Sequence, residues 1–265
     1  MRLIPFLAAS ITVAYLAGCS APPQATRSEI PAPPKPKLAL TVKVASVDLS
    51  NYGKRIEKKD IERFSSSLKR EQIEILAVQG ITRYPNVKTR VDFVNELAAQ
   101  MDMRHVFGES IDISGRQQGN AVFSIYPIRS NQKKEFDVAS AFTESALQVS
   151  IDAGLRDLIL VSTRLPARAT GPDLAKCIQT IAGLQTTTSP FVVTGNLPPV
   201  KKGSESDMFA DIQSSLPDGA GKQLTSRLWY VPGDLFYVIS ASVVKTDLGT
   251  LTVAEFGLYQ SSLPQ

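Results

Sequence analysis

From Leu38 onward the chain alternates two hydrophobic rhythms, and that alternation restricts it to a sheet with covering helices. Leu38 to Leu49 alternates apolar and polar residues, the pattern of a strand with one buried face. Within Asp60 to Arg70, Ile61, Phe64 and Leu68 share one helical face, and Lys58, Lys59, Arg63, Lys69 and Arg70 lie mostly off it. Ile73 to Gln79 is a short apolar run that reads as a buried strand. Val91, Val94, Leu97, Ala98 and Met101 return to helical spacing, as do Leu174, Cys177, Ile178, Ile181 and Leu184. Asn120 to Ile125, Ala146 to Ile151, Asp157 to Thr163, Phe191 to Thr194, Leu235 to Ser240 and Leu251 to Leu258 are strand-like, and Met103 to Phe107 opens another strand. Strands dominate, helices fall between some of them, and no linker interrupts the run. The expectation is one α/β domain, residues 38–265, with mixed sheets.

Residues 1–37 read differently. Arg2 is a positive n-region, and Leu3 to Tyr15 is apolar except for Ser10 and Thr12, the length of a signal-peptide core and too short to span a bilayer. Leu16-Ala17-Gly18-Cys19 then resembles the lipobox of bacterial lipoproteins. That resemblance implies cleavage after residue 18, a diacylglycerol on the Cys19 thiol, acylation of the new amino group, and a membrane anchor of several chains. Ser20 after the cysteine, with no Asp there, resembles lipoproteins sent to the outer membrane of a Gram-negative host. Residues 19–37 are the lipidated cysteine and a linker rich in proline (Pro22, Pro23, Pro31, Pro33, Pro34 and Pro36). Such sequence favours extended polyproline conformation, with a reach on the order of 50 Å.

Composition narrows the chemistry. Twenty-nine Lys and Arg against 25 Asp and Glu leave a net charge of +4, too small by itself to argue for a nucleic-acid partner. Two cysteines exclude a disulfide framework, and Cys177 reads as a buried free thiol. His105 is the sole histidine, so any mechanism that needs two is excluded.

Gly119 to Ile128 reads GNAVFSIYPI. This resembles the GNAILSRYPI segment of the endonuclease/exonuclease/phosphatase superfamily, the deoxyribonuclease-like fold, and places Asn120 at a family site position. Other landmarks follow in the family's order. Ser46-Val47-Asp48-Leu49 stands for Ser-Phe-Asn-Ile, Val78-Gln79-Gly80 for Leu-Gln-Glu, and Ser162-Thr163-Arg164-Leu165 for Asn-Thr-His-Leu. Gly195-Asn196-Leu197-Pro198 stands for Gly-Asp-x-Asn. Leu235 to Ile239 resembles Ile-Asp-Tyr-Ile-Phe, with Phe236 at its acid, and Ala254-Glu255-Phe256 falls at the closing Ser-Asp-His. The resemblance implies a four-layer α/β/β/α sandwich, two mixed sheets face to face with helices outside.

The same resemblance strips the chemistry. The family hydrolyses phosphate esters with a metal, usually Mg²⁺, held by hard oxygen ligands, and a water activated by a base. Here the metal glutamate is Gly80, the water-orienting aspartate is Asn196, the phosphate-contacting asparagine is Pro198, and the two histidines are Arg164 and Phe256. An amide is no base near neutral pH. Asp48 and Glu255 remain, either as a weak cation pair if they converge or as groups that are solvated or paired with Arg164. His105 reads as a structural or surface residue. Ser66-Ser67-Leu68-Lys69 matches Ser-x-x-Lys but lies on a helix and lacks its companion motifs. The basic stretch Lys54 to Arg70 is open to two readings, an anionic surface or a solvated helix face. Trp229 and Tyr230 either line the cleft or pack in the core.

The expectation is therefore an inactive member of this fold on an envelope lipoprotein. It would need no cofactor and would bind a protein or envelope ligand; the sequence does not favour nucleic acid. A remodelled phosphoesterase using Mg²⁺ with Asp48 and Glu255 is the alternative. A purely structural lipoprotein is the third.

Overall fold

A strand, β1 (Leu38–Asp48), begins the described part of the computed structural model, which covers residues 38–52, 55–87, 89–139, 144–154, 156–186, 189–216, 224–233 and 236–259. The signal segment, Cys19, the proline-rich linker and Leu235 lie outside the described residues.

Helix α1 (Lys58–Arg70) buries Ile61, Phe64 and Leu68, and the Asp60 carboxylate accepts from the Glu57 amide at 3.0 Å to close its first turn. The helix carries the chain over to β2 (Ile75–Arg83), which runs parallel to β1, Val44 beside Ile75 and Asp48 beside Gln79. Helix α2 (Phe93–Met101) starts at Asp92, whose side chain accepts from the Val94 and Asn95 amides, and stops at Asp102 in left-handed conformation. Strands β3 (Arg104–Ile113) and β4 (Arg116–Ser124) form a hairpin. The second sheet contains β5 (Ile128–Glu135), β6 (Ser145–Asp152), β7 (Asp157–Thr163), β8 (Phe191–Gly195), β9 (Ala210–Asp211) and β10 (Arg227–Tyr230). Helix α3 (Pro172–Ala182) is the crossover between parallel β7 and β8. Finally β11 (Phe236–Lys245) and β12 (Thr250–Tyr259) return to the first sheet. The orders are β11-β12-β1-β2-β4-β3 and β5-β6-β7-β8-β10-β9.

Alternation along the strands sets the layers. On β1, Ala45 and Val47 face α1 and α2 with Phe64, Leu68 and Leu97, whereas Val42 and Val44 face the second sheet with Leu147, Leu160 and Val192. The second sheet turns Val161, Phe191 and Val193 outward against Cys177 and Ile181 of α3. The result is the expected α/β/β/α arrangement of two mixed sheets with outer helices.

Two strands depart from the expectation. β5 has no alternation, since every residue from Arg129 to Glu135 is exposed, and it forms the outer edge of its sheet with Lys133 and Lys134 on it. β10 is only Arg-Leu-Trp-Tyr; Trp229 is fully buried, with its ring 5.3 Å from Phe209, so it belongs to the core and not to the cleft. The basic face of α1 is largely neutralised, through Lys58–Glu96, Lys59–Glu57, Arg63–Asp60, Arg63–Asp247 and Arg70–Glu71 pairs. This is the solvated-face reading, and exposed pairs of this kind add little stability.

Candidate functional site

Between the sheets the inward-facing residues change character at one level. Val42 and Val44 are followed on β1 by Ser46, Ile75 and Ala77 on β2 by Gln79, Leu158 and Leu160 on β7 by Ser162, and Val192 on β8 by Thr194. The antiparallel segments give the reverse order, Asn120 before Val122 and Ser226 before Leu228. All six polar side chains are at most 2% exposed. Burial without partners would be costly, so they pair with one another. The Gln79 amide nitrogen lies 3.2 Å from Ser46 Oγ, 3.1 Å from Ser162 Oγ and 3.2 Å from Thr194 Oγ1, and its carbonyl oxygen accepts from Ser226 Oγ at 2.9 Å. Asn120 donates to the Ser145 carbonyl at 3.0 Å and accepts from the Gly80 amide at 3.3 Å, and Thr252 donates to the Ser226 carbonyl at 2.6 Å. This polar layer ties one sheet to the other and floors the cleft at the end where β1, β2, β7 and β8 all finish.

The positions above the floor are occupied in ways that suit architecture. Asp48 accepts from the Ser50 amide at 2.8 Å, which holds a tight turn continued by the Tyr52 amide donating to the Leu49 carbonyl at 3.0 Å. That turn lies against Gly80. The register of β2 with β4 shifts between Val78 and Ile81, a bulge that leaves Gly80 at φ +65°. A Cβ on Gly80 would stand 2.5 Å from Ser50 Cβ and 2.7 Å from Ser50 Cα. The place where the resemblance expects a metal glutamate is thus closed by the serine turn.

Asn196 is a clamp. Its Oδ1 accepts from the Leu165 amide at 2.6 Å and its Nδ2 donates to the Leu165 carbonyl at 2.9 Å, so the side chain joins the loops after β7 and β8 like one rung of a sheet. A carboxylate can supply the first bond and not the second. Asn196→Asp is therefore expected to cost about 1–3 kcal/mol at neutral pH, read by denaturant unfolding, because two oxygens would face each other there. Equal stability of the two proteins would contradict the clamp.

Arg164 pairs with Glu144 at 3.7 Å, and among the described residues neither Asp48 nor Glu255 forms an ion pair with it. Pro198 follows Leu197, which is buried with the α3 core. The three remaining positions lie elsewhere. Glu255 stands opposite Lys43, five residues along β1 from Asp48, with Ser240 donating to its carboxylate at 3.1 Å. At strand rise that is about 16 Å, so Asp48 and Glu255 do not converge. Phe256 is fully buried opposite Val42, and Phe236 stacks on it at 4.6 Å, both in the apolar core between the sheets and toward the other end. The sequence landmark had slipped along β12. The segment beside the end of β1 is Leu248-Gly249-Thr250, where a Cβ on Gly249 would lie 3.2 Å from Val47 Cγ2; the carboxylate next to it, Asp247, is paired with Arg63 at 3.1 Å, and the segment has no imidazole.

The donors at this end do not fit a Mg²⁺ ion. Gly80 has no side chain, Asp48 is engaged by its turn, and Asn196 by its clamp. Among the described residues no three His, Cys, Asp or Glu side chains form a metal-holding group. His105 lies on edge strand β3 opposite Phe123, away from the cleft, and partial burial together with the Arg83 charge lowers its pKa. Cys177 is buried on the inner face of α3, and burial pushes its thiol up to about 11. Ser66 and Ser67 bond back to the Glu62 and Arg63 carbonyls on the exposed side of α1, as ordinary helix serines do. Ser145, Ser226 and Thr252 belong to the floor without having been singled out from the sequence.

No family model matches the chain, and no curated protein matches it in sequence. Solved structures do. An endonuclease/exonuclease/phosphatase from Beutenbergia cavernae superposes with a TM-score of 0.65 at 16% identity, over 83% of this chain and 72% of that one. A family protein from Bacteroides thetaiotaomicron gives 0.64 at 8% identity, over 86% and 100%. The human Nocturnin catalytic domain, solved with a bound sulfate anion, gives 0.61 at 13% identity, over 82% and 93%. At such identities the likeness is one of architecture, and it agrees with the sheet orders and the crossovers described above: the chain has the endonuclease/exonuclease/phosphatase fold.

Proposed function

We propose that this chain is a lipid-anchored envelope protein whose endonuclease/exonuclease/phosphatase-like domain has given up phosphate-ester hydrolysis and acts by binding. The observation that carries the second half is the contact at Gly80. A lost glutamate alone leaves a gap that a neighbour could fill, but here the Asp48–Ser50 turn takes the space and consumes the nearest carboxylate. The Asn196 clamp supports the same reading, since the family's base position is spent on a backbone bridge. The lipobox-like Leu16-Ala17-Gly18-Cys19 supports the anchor. If the host is Gram-negative, Ser20 favours the outer membrane facing the periplasm.

Two measurements test this. The full chain in nonionic detergent, given Mg²⁺ or Mn²⁺ and a phosphodiester, DNA or an inositol phosphate, is expected to show no turnover above buffer. Turnover that vanishes in Asp48→Asn would establish the phosphoesterase alternative instead. In cells fed a clickable palmitate, the wild type is expected to take up label and fractionate with membranes, and Cys19→Ser to lose both. Label retained by Cys19→Ser would overturn the anchor.

A further inference from the structure

Beside the cleft, on the helix side of the first sheet, lies a pocket of about 420 Å³. Its wall comes from the turn after β1, the end of β2, the approach to α2 and the start of β4. Three arginines line it, Arg55, Arg90 and Arg116, and no aspartate or glutamate does. All three are exposed at the surface. Among the described residues none of them has a carboxylate partner, whereas Arg63, Arg70, Arg83, Arg129, Arg164 and Arg227 all do. Two of the three are held in place by neutral groups. Arg55 Nη2 donates to the Thr89 carbonyl at 2.7 Å, and the Arg90 guanidinium lies over the Tyr84 ring at 4.2 Å. Their direction is fixed and their charge is left uncompensated.

Ser50, Thr82 and Gln118 add neutral hydrogen-bonding groups to the same wall, and Ile56, Val91 and Phe93 give it an apolar side. The α2 N-terminus nearby is capped by its own Asp92, which also binds Arg83, so the arginines are the source of positive potential. A planar guanidinium fork matches phosphate oxygens in pairs, and three such groups around one space suit a multiply charged anion. The volume exceeds what a lone phosphate fills and falls in the range of small-molecule sites.

We infer that this arginine pocket binds a phosphorylated small molecule or headgroup, with the phosphate on Arg55, Arg90 and Arg116 and the carbon part against Ile56, Val91 and Phe93. The shared chemistry is a phosphate ester or diphosphate, supplied either by a soluble compound or by an anionic lipid. Gly80 and Ser50 form part of its wall, so the pocket adjoins the reacting positions of the fold, but its three arginines occupy none of them, and phosphate binding there stands whether or not the cleft hydrolyses anything.

The test uses the full chain in nonionic detergent. Calorimetric titration with inorganic pyrophosphate, and then with glycerol 3-phosphate, is expected to saturate, and Arg90→Gln/Arg116→Gln to weaken binding by about tenfold or more. Arg104→Gln, which removes an exposed arginine outside the pocket, is expected to leave it unchanged. Flotation with phosphatidylcholine vesicles with and without phosphatidic acid assigns the source. Binding to the acidic vesicles that the double variant loses identifies a lipid headgroup, and saturable binding of the soluble probes alone identifies a free phosphate compound. No saturable binding in either arm, or an equal loss in Arg104→Gln, would overturn the pocket. Phosphate release is followed in the same samples; its appearance would count against the non-catalytic reading and leave the pocket intact.

Discussion

Gly80→Glu, which puts back the carboxylate that a metal-dependent relative would use, is expected to destabilise the domain by about 3 kcal/mol and to restore no hydrolysis. Two separate effects contribute. A non-glycine residue at φ +65° sits in the left-handed region, at a cost of about 1–2 kcal/mol. The added Cβ also meets Ser50 Cβ at 2.5 Å, Cα at 2.7 Å and N at 2.9 Å, none of which a rotamer change can move. For an ordered domain of this size such a loss lowers the melting temperature by roughly 6–12 °C. Ser50→Gly in the Gly80→Glu background removes the first contact and leaves the other two, so the rescue is expected to be partial. A Gly80→Glu protein that melts with the wild type would mean that the turn yields easily, and the closed site would lose its physical basis.

How much of this was legible in the sequence depends on what each residue buries. The central strands were readable because both faces are covered: Val44 to Val47 and Leu158 to Val161 have to be apolar or small on each side. The helices were readable from Ile61, Phe64 and Leu68 and from Cys177, Ile178 and Ile181. β5 was not, because an edge strand exposed from Arg129 to Glu135 has no hydrophobic period to detect. β10 was not, because Leu228 and Trp229 are both buried, on opposite faces, in four residues. At the site, Gly80 and Asn196 could be placed because each directly follows a run of buried strand residues, Ile75 to Gln79 and Phe191 to Gly195. Glu255 and Phe256 could not, because a similar run of residues slides along β12 without changing its alternation, and the register against Lys43 and Val42 is a tertiary fact. The pocket arginines lie far apart in the chain, and only the fold brings Arg55, Arg90 and Arg116 to one wall. The floor left a trace that was read strand by strand and not as a layer: six inward runs each end or begin with a polar residue.

Gln79→Leu tests that layer and is expected to cost about 2–4 kcal/mol, a drop of roughly 5–15 °C in melting temperature, although the replacement fills nearly the same space. The loss does not come from the glutamine alone. Ser46 and Ser226 still bond each other, and Thr194 keeps the Val161 carbonyl at 3.3 Å. Ser162 Oγ is bound by the Gln79 amide and stays fully buried when that amide is removed. A buried hydroxyl left without a partner costs more than a hydroxyl that was never there. Ser162→Ala is therefore expected to cost about 1 kcal/mol in the wild type and close to nothing, or to stabilise, in the Gln79→Leu background. The resulting coupling of about 1 kcal/mol or more is measurable in a double-mutant cycle. Strict additivity would show that the two side chains do not share a bond in solution. A coupled result would mean that the cleft floor is held by neutral amides and hydroxyls acting together. Such a floor fixes the two sheets firmly, and it offers no group that could take or give a proton near neutral pH.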